Sequence, residues 1–396
     1  MTKKINMIIP MAGKGSRFAE QGYVMPKQLI MVDNKQTIDW NLSSIKDLEQ
    51  YNLIFIIRQE HVNNFALDEI LKQKFGSEIK IIILEKITRG STETCLLAKD
   101  LIENKSLPLI INTLDVYFEP QFNFDSIPDS SDGVILTFKS TSKTCSYVKL
   151  ENGKVIQTAE KENISENAAV GIYYFKSGEM FFNYAEKMIA DDLRTNNEFY
   201  ICPIYNLLIQ DGLTVTTQPV DKMHLMGTPE ELEFFISHSL KRFGNKPIAL
   251  CSDHSGFKLK EIAKDILELN GLNYIDFGPF VDKDCDYDDY VSQAVKHVQR
   301  GECDHIMGFC RTGQGVNIAA NKKKGIRGTI IFDEYTAEYA IRHNCSNFFS
   351  CPSKYIDYNM LDEMIKILKV TTFDGGRHAD RIQKIERDEN IQYKKI

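Results

Sequence analysis

The sequence predicts an α/β protein of two domains, each a largely parallel sheet flanked by helices. Three observations predict it. The chain has 396 residues, more than one ordinary core holds, since domains run to roughly 100–200 residues. Short β-branched runs alternate with amphipathic stretches in both halves, and repeated strand–helix alternation means parallel strands covered by helices. Apolar strand ends are followed by glycine-containing loops, the place where open α/β sheets bind ligands.

The candidate strands are Ile5–Pro10, Leu53–Ile57, Ile81–Leu84, Leu109–Asn112 and Gly133–Phe138, then Ile248–Cys251, Tyr274–Phe277, His305–Phe309 and Gly328–Phe332. Ala66–Phe75 and Lys258–Leu269 read as helices between them. The segment Lys241–Pro247 (KRFGNKP) combines charge, Gly and Pro after a helical stretch from Thr228 to about Leu240, which is linker chemistry. It divides the chain into a first domain, 1–243, and a second, 247–392.

Composition sets further bounds. The chain is 43% hydrophobic and 26% charged, with a net charge of −7, a globular balance that disfavours nucleic acid and anionic membrane as partners. The opening MTKKINMIIPMAGKG turns straight into a glycine loop rather than a signal peptide. No apolar run approaches the ~18 residues a membrane span needs. Nine cysteines lie scattered without a CxxC pair, which suggests reduced thiols and a cytoplasmic location.

After the first strand comes Met11-Ala12-Gly13-Lys14-Gly15-Ser16-Arg17-Phe18. Gly13 and Gly15 let backbone N–H groups approach an anion, and Arg17 adds a charged fork. Phe18 stands where a dinucleotide fingerprint needs its third glycine, and no Gly-Lys-Ser/Thr closes a P-loop. Both absences argue against a dehydrogenase or an ATPase. Pro26-Lys27 follows, and the combination resembles the sugar-phosphate nucleotidyltransferase family, which has a Rossmann-like domain. The likeness continues through Thr88-Arg89-Gly90-Ser91-Thr92-Glu93, Ile110 to Asp115, Glu160-Lys161, Gly171-Ile172-Tyr173, Asn197-Glu198-Phe199-Tyr200 and Gly227-Thr228-Pro229-Glu230.

That resemblance implies a reaction in which a sugar phosphate oxygen attacks a nucleoside triphosphate and pyrophosphate leaves. Positioning and cationic stabilisation dominate such chemistry. Ala12, Gly13, Gly15, Arg17, Gly90, Ser91 and Thr92 would bind the nucleotide, with Arg17 on the triphosphate and Lys27 at the α-phosphate. Lys161, Glu160 and Glu198 would hold the sugar phosphate, and Asp115 would ligate Mg²⁺. Two departures stand out. Many relatives have Gly before the metal Asp, where this chain has Leu114. Many also have a carboxylate two residues before the closing Gly-Thr, where this chain has Leu225, so either Asp221 substitutes from nearby or Mg²⁺ relies on Asp115, water and the phosphates.

The second half carries Ser252-Asp253-His254-Ser255-Gly256-Phe257, Asp286 to Tyr290, Cys310-Arg311-Thr312-Gly313-Gln314-Gly315, Ile318 to Lys322, Arg342-His343-Asn344 and Gly375-Gly376-Arg377-His378-Ala379-Asp380-Arg381. This ordered set resembles the ribose-5-phosphate isomerase B family, which includes galactose-6-phosphate isomerases and is also Rossmann-like. A thiol at the end of an apolar strand, entering a glycine turn, would be surrounded by N–H groups that lower its pKa. The resemblance makes Cys310 the base that moves a proton between C1 and C2. It makes His343 the ring-opening histidine, with Asp253, His254 and Thr312 around the sugar. Arg377 and Arg381, four apart, would clamp a terminal phosphate from one helix face. Arg311 stands where the family has Gly.

Such isomerases act on 5- or 6-phosphosugars and build their site between two subunits, so the resemblance implies a homodimer through the second half. Consecutive steps would make the transferase accept a terminal phosphate. Cytidine is the usual carrier of such products, so CTP is the expected nucleotide and a surface-polysaccharide precursor the expected destination. The alternative is a sugar-1-phosphate nucleotidyltransferase fused to an inactive, dimerising or ligand-sensing isomerase-like module.

Overall fold

A computed structural model describes residues 5–393. The first four residues of the N-terminal segment considered above, and the last three of the chain, lie outside the described residues. Contacts divide the chain into two compact units, Met1–Glu233 and Phe234–Ile396. The helical stretch before the linker therefore straddles the division. Its later part packs within the second unit: Phe234 lies 6.2 Å from Phe373 and His238 bonds Glu386 at 2.7 Å.

The first unit is built on one large sheet. Its parallel core places Ile5–Pro10 between Tyr51–Arg58 and Leu109–Asn112, with Lys80–Leu84 beyond Tyr51–Arg58. Both faces of these strands are covered. Met7 and Ile9 enter one apolar cluster with Phe55 and Ile57, while Ile8 enters the other with Ile54 and Ile56. Burial on both faces is what a near-continuous apolar run encodes, and each such side chain contributes roughly 1.5–3 kcal/mol relative to exposure.

The other half of the sheet is largely antiparallel. Asn167–Phe175 pairs with Leu109–Asn112, with Gly133–Lys139 and, at Ala168, with Ser146–Glu151. Ser146–Glu151 forms a hairpin with Lys154–Glu160, and Val215–Pro219 lies parallel to Gly133–Lys139. Glu160 and Lys161 stand at the end of Lys154–Glu160, where Lys161 meets Tyr200 of the 198–200 segment.

The second unit is a five-stranded sheet, all parallel, in the order Tyr274–Asp276, Ile248–Ser252, Ile306–Cys310, Phe348–Pro352, Gly328–Ile330. Helices Phe257–Leu269, Tyr287–Gln299, Gln314–Asn321, Glu334–Arg342 and Tyr358–Val370 connect or cover the strands. The order reverses direction between Ile248–Ser252 and Ile306–Cys310, which makes a crevice at their carboxyl ends. Asp253 and Cys310 both stand at that crevice. Among the described residues no helix is long and apolar enough to cross a membrane.

Candidate active sites

In the first unit the loop after Ile5–Pro10 and the loop after Leu109–Asn112 leave adjacent parallel strands. A Cβ added at Gly13 or Gly15 would meet nothing within 4 Å, so the loop's inner surface is open to an incoming group. Arg17 is exposed on the short helix Ser16–Glu20. Its charge helps hold the Glu230 carboxyl below its ordinary value and opposes the rise of the Tyr200 phenol.

Lys27 opens the single turn Lys27–Leu29, whose carbonyl at Lys27 accepts from Thr37 Oγ1 at 2.5 Å. Its ammonium reaches across the loop to pair with Asp115 Oδ1. Leu114 explains its own departure from relatives: it adopts φ 60°, the left-handed region where glycine is natural. Its N–H donates to Asn112 Oδ1 at 3.0 Å and its side chain is buried. Packing therefore holds a backbone state that costs leucine roughly 1–2 kcal/mol.

The carboxylate beside Asp115 comes from Glu231. Glu231 Oε2 accepts from the N–H groups of Gly227 and Thr228, each at 3.0 Å, while Glu231 N–H donates to Thr228 Oγ1 at 3.2 Å. This reciprocal cap fixes the closing loop. Burial and the Asp115 charge push the Glu231 carboxyl up to about 7, against those N–H groups and Lys27. A Cβ on Gly227 would lie 3.3 Å from both Asp115 Oδ1 and Glu231 Oε2, so glycine keeps the gap between two carboxylates open. Leu225 packs against the apolar core, paired with Val116, and Asp221 is exposed.

No group of three or more His, Cys, Asp or Glu side chains suited to a metal occurs among the described residues. Mg²⁺ needs no such cage, because it is commonly held by one or two carboxylates with water and substrate phosphates. Asp115, with Glu231 across the glycine gap, fits that pattern.

The base-loop and sugar segments are physically joined. Gly90 adopts φ 144°, and a Cβ there would lie 2.4 Å from Phe199 N. Phe199 N–H donates to Arg89 O at 2.9 Å and Thr92 N–H donates to Phe199 O at 3.0 Å. Ser91 Oγ lies 3.5 Å from Phe199 O, and the buried Thr92 Oγ1 has no partner. Glu198 and Tyr200 flank this anchor. Lys161 Nζ donates to Tyr200 Oη at 2.6 Å. The neighbouring Glu160 accepts from Ser146 Oγ, and burial raises its carboxyl.

In the second unit, Cys310 ends the central strand and is buried. Ser353 N–H caps its carbonyl at 2.9 Å, and Lys354 N–H caps that of Arg311 at 3.1 Å. Thr312 is exposed at the entrance to the helix Gln314–Asn321. Asp253 Oδ1 accepts from Ser255 Oγ at 2.6 Å and Gly256 N–H at 2.8 Å. A Cβ on Gly256 would fall 2.2 Å from Phe309 O, so glycine lets the Asp253 loop lie against the Cys310 strand. His254 stands beside it, its Nδ1 3.4 Å from Cys285 O. The Arg311 guanidinium is exposed and makes no hydrogen bond or ion pair among the described residues.

His343 belongs to a separate cluster. Its ring stacks on His378 at 4.0 Å and meets Tyr339 edge-on at 4.5 Å. Burial lowers the His343 pKa, with Arg342, Arg377 and Arg381 acting in the same sense and Asp374 opposing. His378, buried and without a partner at Nδ1, is pushed down to about 4. Arg377 and Arg381 are exposed on the helix Gly376–Tyr393. The helix Glu334–Arg342 starts at the carboxyl end of the sheet, after Gly328–Ile330, and runs back. His343 therefore follows at the amino end of the sheet, whereas Cys310 ends its strand at the carboxyl end. One chain does not bring the two groups together.

Residues 6–211 match the Nucleotidyl transferase family, and residues 248–385 match the Ribose/Galactose Isomerase family. The chain belongs to both families, one in each half. The isomerase-family half is 35% identical over 141 residues to ribose-5-phosphate isomerase B of Escherichia coli, covering 35% of this chain and 94% of that protein. The nucleotidyltransferase half is similar to the crystal structure of a nucleoside-diphosphate-sugar pyrophosphorylase from Vibrio cholerae. The two share 29% identity and a TM-score of 0.51, over 58% of this chain and 99% of that one.

The sequence reading of this two-family chain missed Glu231, whose Thr-x-x-Glu spacing is a recognisable cap signal. It also gave no role to Tyr200, His378 or Asp374, whose neighbours come from distant segments.

Proposed function

We propose that the nucleotidyltransferase half joins a nucleoside triphosphate, CTP for preference, to the terminal 5- or 6-phosphate of a sugar, releasing pyrophosphate. The isomerase-family half interconverts aldose and ketose forms of a 5- or 6-phosphosugar, and the two steps serve a nucleotide-linked precursor of a surface polysaccharide. The observation that carries this reading is the union, in one chain, of a triphosphate loop backed by the Lys27–Asp115 pair and a phosphosugar-isomerase half.

In the first site Gly13, Gly15 and Arg17 hold the triphosphate, and Gly90, Ser91 and Thr92 read the base. Lys27 leaves Asp115 to meet the α-phosphate as charge develops on its oxygens. Lys161, Glu160 and Glu198 hold the acceptor. Asp115 and Glu231 would hold Mg²⁺, which when bound neutralises triphosphate charge.

In the second site Cys310 takes the C2 proton, and the N–H groups of its glycine turn receive the enediolate oxygen. Asp253, His254 and Thr312 surround the sugar. His343, Arg377 and Arg381 act from a second copy of the chain, because the sheet separates them from Cys310. Exposed Phe332, Tyr335, Tyr355 and Tyr358 follow the carboxyl ends of Gly328–Ile330 and Phe348–Pro352 and support pairing there. Nine free cysteines, eight of them buried, accord with a reducing cytoplasmic setting.

Arg311 favours a second reading, in which a cation beside Cys310 has retired catalysis, the isomerase half only dimerises or senses ligand, and the transferase takes a sugar 1-phosphate. One panel decides: four nucleoside triphosphates against ribulose 5-phosphate, fructose 6-phosphate and glucose 1-phosphate, read by pyrophosphate release, with exchange of the C2 proton into solvent measured alongside. Release with glucose 1-phosphate alone, without exchange, would overturn the first reading in favour of the second.

A further inference from the structure

Tyr200 stands where the segments assigned to three parts of the transferase site meet. Its hydroxyl accepts from Lys161 Nζ at 2.6 Å, and the same ammonium lies 4.6 Å from the ring centroid. Burial, with the nearby Glu198 carboxylate, raises the phenol well above its ordinary range, against the pull of Arg17. A neutral phenol is one of few side chains able to accept from an ammonium and donate to a carboxylate at once.

Lys161 has little freedom at its base. Its backbone adopts φ 56°, and its N–H donates to Cys145 O at 3.1 Å. The ammonium, by contrast, rides on a flexible four-carbon stem with three rotatable donors. Something must aim it. Tyr200 occupies one donor and leaves two, and its place between Lys161 and Glu198 keeps the opposite charges from closing on each other.

We propose that Tyr200 is a positioning residue for nucleotidyl transfer, holding the Lys161 ammonium off Glu198 and aimed at the phosphate of the acceptor sugar. This rests on the reading of Lys161 as the acceptor ligand. Tyr200→Phe keeps the ring, over which the Lys161 ammonium lies, and removes the hydroxyl alone. Lys161 then closes on Glu198 and is lost to the acceptor.

The test measures pyrophosphate release from CTP with fructose 6-phosphate, or with whichever pair of the panel above the full-length protein uses. Tyr200→Phe should raise the acceptor KM about tenfold or more, the scale of one charged hydrogen bond, with kcat and the triphosphate KM within about twofold. Lys161→Met should raise the same KM, and the double variant should be no worse than Lys161→Met, since Tyr200 acts through that lysine. An unchanged acceptor KM in Tyr200→Phe, or effects that multiply in the double variant, overturns the inference about Tyr200 alone. Wild-type protein that releases pyrophosphate with no sugar phosphate overturns the functional reading, and this inference with it.

Discussion

Acid should loosen the first unit through His224, and the size of the effect can be worked out. The ring of His224 is buried against Tyr117, 5.9 Å away and nearly parallel, and Tyr117 meets Trp40 at 4.9 Å. Burial, with a smaller push from Lys222, takes the imidazole from 6.5 down to about 3. A folded pKa below the unfolded one means the stabilisation is present above about 6.5 and is lost as pH falls towards 3. At about pH 4.5 the unfolded ring is protonated and the folded ring is not, so two pH units at 1.36 kcal/mol each remove about 3 kcal/mol. Trp40 is the only tryptophan of the chain, so its fluorescence follows the first unit in urea whatever the second does. Wild type and His224→Phe, which preserves the ring contact, are compared at about pH 7 and about pH 4.5. Other titrating groups cancel in the double difference, which should come to about 3 kcal/mol. Equal losses in the two proteins, within about 0.5 kcal/mol, would refute the reasoning. Because the strand His224–Leu225 pairs with Val116–Tyr117, next to Asp115, pyrophosphate release should decline over the same interval.

Three further outcomes are expected. Cys310→Ala should lower C2 proton exchange by roughly 10²–10⁴-fold and leave pyrophosphate release intact, both read on one preparation. A site shared between copies predicts complementation: Cys310→Ala and His343→Ala, each inactive, should regain about a quarter of wild-type exchange when unfolded and refolded together, since half the dimers are mixed and hold one intact site of two. Gly256→Ala, whose Cβ would strike Phe309 O at 2.2 Å, should destabilise the second unit by roughly 1–3 kcal/mol, seen as a lower calorimetric transition while the Trp40 transition stays in place.

Much of the fold was legible because strands buried on both faces write themselves as apolar runs. Ile5–Pro10, Leu109–Asn112 and Gly133–Phe138 show this, the first two matching the observed limits. The antiparallel hairpin was not, because Ser146–Glu151 and Lys154–Glu160 are polar and partly exposed, leaving little periodicity to read. Phe348–Pro352 was missed for another reason: it is fully buried but has no β-branched residue. At the sites, loop residues such as Gly13 and Cys310 announce themselves by local spacing. Pairings such as Glu231 with Asp115 or Tyr200 with Lys161 arise from segments far apart in sequence, and only folding makes them neighbours. Leu114 shows the converse. It reads as a departure from relatives, yet its backbone does what a glycine would.

The separation of Cys310 and His343 at opposite ends of one sheet has a consequence for flux. If a complete isomerase centre needs two chains, its abundance follows the square of protein concentration at high dilution, whereas the transferase centre follows the first power. The ratio of the two rates is then not a fixed property of the polypeptide. It rises with expression until dimers saturate, so the amount of protein made would itself set how much phosphosugar is isomerised for each nucleotide consumed.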